Sequence, residues 1–114
     1  MIKFVNSLSL QMFKGLDCYS LDIEKIDTEE VITLLSTEQY VSYIGHKNFA
    51  LVLSDILGNY VPFNRDFALY ENGDTFIVAQ LIGGRLPEGA TTLPSMYSVE
   101  FFKVTVKFSK EAVK

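Results

Sequence analysis

The centre of the chain follows first a strand pattern and then a helix pattern. Aromatic and β-branched residues dominate Tyr40–Ile44, as is typical of a short strand. From Phe49 onward, apolar side chains recur at intervals of three and four residues, which predicts one buried face of a helix. Gly45 separates the two patterns, and Gly58 stands where such a helix is expected to end. The order therefore predicts a strand, a turn and a helix with His46 at its N-terminus.

Similar patterns divide the rest of the chain. Strands are predicted at Ile2–Val5, Cys18–Ile26, Arg65–Glu71, Asp74–Leu81 and Tyr97–Phe108, with short helices after the first two, ending near Gly15 and Thr37. Asp27 and Glu30 form a capping-box pattern, and Asn72-Gly73 predicts a type I′ hairpin turn. Ile82–Ala90 is predicted as a loop, and the polar tail Ser109–Lys114 is expected to fray. The whole predicts a single α/β domain over residues 1–114, with a mixed sheet of about five to six strands flanked by helices.

Composition limits the partners that the chain can take. The 114 residues are 48% hydrophobic, yet no apolar run approaches the roughly 20 residues of a membrane helix. No apolar signal-peptide core follows Met1–Phe4, so a cytoplasmic location is expected. A net charge of −4 argues against duplex nucleic acid without excluding a small anionic ligand. One histidine and one cysteine without ligand spacing predict neither a metal site nor a cofactor.

Polar residues gather directly after three of the predicted strands. The three clusters are Asn6-Ser7, Gly45-His46 and the loop from Gly83 through Arg85 to Glu88. Ligands of open α/β sheets bind beyond the carboxyl ends of the strands, so the clusters would share one edge if these strands run parallel. Two helix N-termini, a histidine, an arginine and a carboxylate at one edge would suit a phosphate or a phosphodiester.

Each of these residues also has an ordinary structural interpretation. Asn6 and Ser7 can simply cap the helix that follows them, and His46 can be a surface or capping residue. Arg85 and Glu88 can pair with each other, in a contact that is worth little at a surface. The sequence pattern alone leaves these alternatives open.

The segments FVNSLSLQMF, YIGHKNFALVLSDILG and GGRLPEG occur in this order along the chain. Together they resemble the viral ring nuclease family of type III anti-CRISPR proteins, whose members occur in archaeal viruses, bacteriophages and bacterial mobile elements. The resemblance covers nearly the whole chain. It implies a homodimer that binds cyclic tetra-adenylate and cuts it without metal into linear products ending in a 2′,3′-cyclic phosphate. Destroying this messenger would inhibit type III CRISPR signalling.

The same resemblance implies roles for individual residues. His46 would be the general acid, and Arg85 and Glu88 would be its partners in the catalytic site. The expected ligand-binding residues are Asn6, Ser7, Gly45 and Gln80. Gln80 is the weaker match, because the spacing between it and Arg85 varies within the family.

Two other classes of function stay open at this point. The protein could be a non-catalytic module of a virus or mobile element that binds a cyclic nucleotide or a protein partner, with His46 as a hydrogen-bond donor only. It could also be a structural virion or regulatory protein that has no ligand. The joint presence of His46, Arg85 and Glu88 favours the enzyme.

Overall fold

A computed structural model describes residues 1–111 and confirms an α/β fold with a mixed sheet. In chain order, the elements are β1 (Ile2–Val5), a 3₁₀ helix (Leu10–Phe13), β2 (Leu16–Ile26), α1 (Thr28–Thr37), β3 (Tyr40–Tyr43), α2 (Lys47–Leu57), β4 (Thr75–Ile82) and β5 (Ser98–Glu111). The sheet has five strands in the order β2-β5-β4-β1-β3. Neither α1 nor α2, the α-helices of the described residues, is long and apolar enough to cross a membrane.

The pairing of the strands places three carboxyl ends at the same edge of the sheet. β1 lies between β3 and β4 and runs parallel to both, with Phe4 opposite Ser42 on one side and Ile77 on the other. β5 is antiparallel to both β4 and β2. The three strands that precede the polar clusters are therefore parallel, so the clusters lie at the same edge of the sheet, as the sequence predicted for parallel strands.

Each face of the sheet buries its own cluster of apolar side chains. Alternate residues of a strand point to opposite faces, so Phe4 packs with α1 and α2 while Val5 belongs to the other face. The 3₁₀ helix and residues 65–71 cover that second face. Phe13 of the 3₁₀ helix and Ala68 of the segment 65–71 are buried against it. The core thus has two layers, and the three parallel strands run through its middle.

The two α-helices begin and end as the sequence predicts. The side chain of Asp27 accepts a hydrogen bond from the Glu30 N–H at 2.8 Å, as the capping pattern requires. Phe49 is buried at the start of the apolar stripe of α2. Gly58 ends this helix in the left-handed conformation, with φ of 68°. Before α1, the predicted helix near Gly15 is only the 3₁₀ turn.

The predicted strand Arg65–Glu71 and its type I′ hairpin are wrong. Its alternation is real, because Ala68 is buried while Phe67 is 49% exposed, but the segment forms no ladder with β4. The Tyr70 N–H instead donates to the carbonyl of Met12 in the 3₁₀ helix at 2.8 Å. A type I′ turn needs positive φ at both central residues, and only Gly73 of the Asn72-Gly73 pair has it.

The last strand is longer than predicted. β5 continues to Glu111 because β2 supplies a hydrogen-bonding partner along its length, with Leu16 opposite Glu111. The expected fraying is therefore wrong for residues 109–111, and the rest of that tail lies outside the described residues.

A buried ion pair fixes the other end of the parallel strands. The side chains of Lys3 and Asp74 are 4% and 5% exposed, and Lys3 Nζ lies 2.6 Å from Asp74 Oδ2. Lys3 also donates to the carbonyl of Leu69 and lies 3.1 Å from Glu71 Oε1. Burial acts to lower the pKa of Lys3, but the hydrogen bonds and charges of Asp74 and Glu71 outweigh it and hold the pKa above its ordinary value.

Candidate functional site

A large cleft lies beyond the carboxyl ends of β1, β3 and β4. Its volume of about 1130 Å³ exceeds the roughly 300–1,000 Å³ of common small-molecule pockets, so it has room for more than one nucleotide. The lining residues are Asn6, Gly45, His46, Lys47, Asn48, Phe49, Phe63, Arg65, Gln80, Leu81, Arg85, Leu86 and Glu88.

The structure brings six of the seven predicted site residues into this cleft. They are Asn6, Gly45, His46, Gln80, Arg85 and Glu88. Ser7 is the exception: it is exposed and is not among the lining residues, because the chain bends away after Asn6 toward the 3₁₀ helix. Ser7 is therefore not brought together with the other six residues, and the catalytic and ligand-binding roles of all seven stay predictions.

The N-terminus of α2 forms one wall of the cleft. His46 is the N-cap residue, is exposed, and makes no capping hydrogen bond with its side chain. The next three residues, Lys47 to Phe49, also line the cleft. Backbone N–H groups in the first turn of a helix have no acceptor within the helix, and the helix dipole is positive there. This wall therefore favours an anion, with an imidazole beside it.

The side chain of Asn6 joins two of the polar clusters. Its Oδ1 accepts a hydrogen bond from the Gly45 N–H at 3.2 Å. The contact fixes the turn between β3 and α2 against the end of β1. Because only the oxygen is used there, the NH₂ group of Asn6 is left to donate to a ligand.

The loop that carries Arg85 is fixed by Tyr97. The Tyr97 hydroxyl donates to the Arg85 carbonyl at 2.8 Å, while the Arg85 residue as a whole is exposed. Gly83 has φ of 122°, and a Cβ at this position would lie 2.9 Å from the Tyr97 ring. Only glycine allows this close approach, so the local sequence holds the Arg85 backbone in place beside the cleft.

The cleft carries an excess of positive charge on an acidic chain. Lys47, Arg65 and Arg85 line it together with a single carboxylate, Glu88, although the chain as a whole has a net charge of −4. The ion pairs within residues 1–111 are formed by the N-terminus, Lys3 and Lys25, and not by the three cations of the cleft. The structure therefore does not show the alternative in which Arg85 and Glu88 pair with each other. The local field therefore attracts an anion despite the global charge.

Sequence reasoning missed Phe63 and Arg65, both of which line the cleft. Asn64, which lies between them, holds this segment beside β3: its side-chain NH₂ donates to the Ser42 carbonyl at 2.8 Å. Its Oδ1 accepts from the Asp66 N–H at 2.9 Å, which is an Asx-type turn. The sequence could have predicted this local turn. It could not have predicted the contact with Ser42, because that contact joins residues 22 positions apart and corresponds to no periodic pattern.

The described residues contain no group of three or more histidine, cysteine, aspartate or glutamate side chains placed to hold a metal ion. The single cysteine, Cys18, is exposed on β2, away from the cleft lining. Metal independence stays a prediction for experiment.

Fold and site together define an α/β protein with a cationic cleft at the carboxyl edge of three parallel strands. The chain belongs to the STIV B116-like family, whose sequence model matches residues 2–107. It is 29% identical over 89 residues to Uncharacterized protein 26 of Sulfolobus islandicus filamentous virus (isolate Iceland/Hveragerdi), covering 78% of this chain and 74% of that protein. It is 40% identical over 70 residues to Uncharacterized protein ORF117 of Acidianus two-tailed virus, covering 60% and 59% of the two chains.

A solved structure has the same fold. B116 of Sulfolobus turreted icosahedral virus matches with a TM-score of 0.75 over 90% of this chain and 97% of that one, at 21% identity. At this identity the likeness supports the fold alone. The relatives named here are proteins of archaeal viruses, which agrees with the viral origin that the sequence resemblance implies.

Proposed function

We propose that this protein is a metal-independent ring nuclease that cleaves cyclic tetra-adenylate and thereby inhibits type III CRISPR signalling. One observation carries the proposal. His46, Arg85 and Glu88 come from separate parts of the chain, yet all three line one cationic cleft. The sequence resemblance supplies the identity of the substrate, and the chemistry of the cleft supports a phosphodiester.

The proposed reaction needs no nucleophile from the protein. The ribose 2′-oxygen forms a bond to the adjacent 3′-phosphorus, the bond from phosphorus to the 5′-oxygen breaks, and a proton passes to that 5′-oxygen. The 2′-hydroxyl proton is released, and the product is a linear chain with a 2′,3′-cyclic phosphate. The protein must hold the 2′-oxygen in line, stabilise charge on the phosphoryl oxygens and protonate the leaving oxygen.

The residues of the cleft match these three tasks. His46 is exposed at the N-terminus of α2, where its imidazolium can donate the proton, a role worth about 10²–10⁴ in rate. Arg85 and the first N–H groups of α2 hold the phosphoryl oxygens through charge-assisted hydrogen bonds. Glu88 orients either the 2′-hydroxyl or Arg85.

The proposal includes a two-fold homodimer. A ring of four identical nucleotides has a two-fold axis of its own, so two identical clefts related by such an axis can bind it symmetrically. Each cleft then brings Lys47, Arg65 and Arg85 to the four negative charges of the ring.

Incubation of the purified protein with cyclic tetra-adenylate in EDTA tests the proposal, with the products separated by chromatography and weighed by mass spectrometry. We expect linear oligoadenylates with the mass of a cyclic phosphate, one water lighter than the open phosphate. The matched control is Lys14→Ala, a change at an exposed position outside the cleft, which should cut as wild type does.

Three results would contradict the proposal in different ways. Activity lost in EDTA and restored by a divalent ion would contradict metal independence. A ring that binds tightly and is recovered intact would favour the non-catalytic binding module. A ring that does not bind would favour a structural or regulatory protein.

A further inference from the structure

Phe63 exposes an aromatic ring at the cationic cleft. The residue is 43% exposed and lines the cleft, whereas Phe49, the other phenylalanine of the lining, is only 4% exposed. A single exposed apolar side chain is common on protein surfaces, but this one lies inside a cleft, where a bound ligand can cover it and remove its apolar surface from water. The proposed catalytic steps do not use this side chain.

The backbone around Phe63 is fixed on both sides. The Ser42 hydroxyl donates to the carbonyl of the preceding residue, Pro62, at 2.6 Å. The N–H of the following residue, Asn64, donates to the carbonyl of Ile44 at 3.0 Å, which closes a bridge between Phe63 and Ile44. The aromatic side chain is thus exposed on a segment whose backbone is already fixed, so the protein loses little backbone conformational entropy when a ligand covers it.

We propose that Phe63 is a base-stacking residue, which contacts the face of one adenine when a nucleotide binds in the cleft. Every nucleobase has a flat π-face, and aromatic side chains are the usual platforms for unpaired bases. Arg65, two residues further along, lines the same cleft and can hold a phosphate of the same nucleotide. Leu86, which is half-buried, adds apolar surface to the lining of the same cleft. The inference rests on the proposed function only in that both need a nucleotide in this cleft.

Tryptophan fluorescence gives a direct test, because the natural chain has no tryptophan. In Phe63→Trp the indole would be the only one in the protein, and adenine stacking should quench its emission. We expect saturable quenching by linear tetra-adenylate and no quenching by ribose 5-phosphate, which has no base. The matched control is Phe67→Trp: Phe67 is 49% exposed but does not line the cleft, so neither ligand should change its emission.

Affinity measurements separate stacking from apolar contact in general. Phe63→Leu keeps an apolar side chain but removes the π-face, and should weaken tetra-adenylate binding about 5- to 100-fold. Its affinity for ribose 5-phosphate, followed by NMR titration, should stay unchanged. Phe63→Tyr retains the aromatic side chain and should bind tetra-adenylate as wild type does, whereas the unchanged affinity of Phe63→Leu for ribose 5-phosphate shows that the cleft of that variant is folded.

The outcomes distinguish this inference from the proposed function. If cyclic tetra-adenylate is recovered intact but linear tetra-adenylate quenches the emission of Phe63→Trp, the nuclease proposal fails and the stacking role holds. If cyclic tetra-adenylate is cleaved and Phe63→Leu binds linear tetra-adenylate as wild type does, the stacking role is overturned while the nuclease proposal stands. Emission of Phe63→Trp that changes with protein concentration but not with nucleotide would also overturn it, since the residue would then lie in a contact between subunits.

Discussion

The Asn6 side chain accepts a hydrogen bond from the N–H of Gly45 at 3.2 Å and so joins the ends of β1 and β3. Asn6 follows the first strand and Gly45 precedes α2, 39 positions further along the chain. One residue therefore holds the His46 turn in place with its oxygen, and its NH₂ group is the part that we propose to donate to the ligand. These two roles can be separated by substitution.

Asn6→Asp keeps the acceptor for Gly45 but loses the NH₂ donor and adds a negative charge. We expect it to unfold at nearly the wild-type denaturant midpoint, yet to bind cyclic tetra-adenylate at least about tenfold more weakly. Asn6→Ala loses both roles and should also lower the free energy of unfolding by about 1 kcal/mol. Denaturant titration and ligand titration of both variants measure this. Wild-type affinity in Asn6→Asp would mean that Asn6 does not touch the ligand.

His46→Ala should separate chemistry from binding. Because a general acid acts when the 5′-oxygen leaves, single-turnover cleavage should fall by about 10²–10⁴ while binding of the ring is retained. The fold should be unaffected, since His46 is exposed and its side chain makes no capping hydrogen bond. Rapid mixing of labelled cyclic tetra-adenylate with an excess of wild type or of His46→Ala measures the cleavage rate of each protein. Equal rates would remove His46 from the mechanism.

Arg85→Ala should weaken binding and turnover together. A charge-assisted contact with a phosphate exists in the ground state as well as the transition state, so we expect about a 10- to 100-fold loss of affinity. Arg85→Lys should restore only part of it, because lysine lacks the planar fork of the guanidinium. Lys14→Ala removes a positive charge outside the cleft and controls for net charge. Unchanged affinity in Arg85→Ala would show that the loop does not reach the ligand.

The buried pair at the opposite end of the sheet predicts an alkaline limit to stability. Since the pKa of Lys3 is raised above its ordinary 10.5, its contribution is complete below pH 10.5 and is lost as the pH rises through the folded-state value. Burial likewise raises the pKa of Tyr40 above 10.0, so its contribution is lost in the same direction. The free energy of unfolding should therefore fall above about pH 10, and Tyr40→Phe isolates the share of Lys3.

Substitution of Lys3 tests the same pair at neutral pH. Lys3→Met removes the nearest cation from buried Asp74 and should lower the free energy of unfolding by about 3 kcal/mol. Lys25 is 64% exposed and pairs with Glu100 at the surface, so the control Lys25→Met should change stability by less than about 1 kcal/mol. Equal effects of the two substitutions would contradict a special role for the buried pair.

Local sequence was sufficient for the two α-helices, whose hydrogen bonds are local. The apolar spacing from Phe49 and the stop at Gly58 defined α2, and the pattern from Asp27 to Glu30 defined the start of α1. Helix hydrogen bonds join residues four apart, so the pattern that determines them lies within a few turns of the chain. The polar clusters were found in the same way, because each follows directly on a strand or precedes a helix.

The tertiary structure alone decided which strands pair and which side chains meet. Residues 65–71 have the alternation of a strand, but their partners are the 3₁₀ helix and the core, as the bond from Tyr70 to Met12 shows. β5 extends to Glu111 because Leu16 lies opposite it, almost a whole chain length away. Phe63 and Arg65 reach the cleft through the bond between Asn64 and Ser42, which no local periodicity records. Such contacts depend on side chains far apart in sequence that meet only when the sheet has formed, whereas a helix is already determined by its neighbours in the chain.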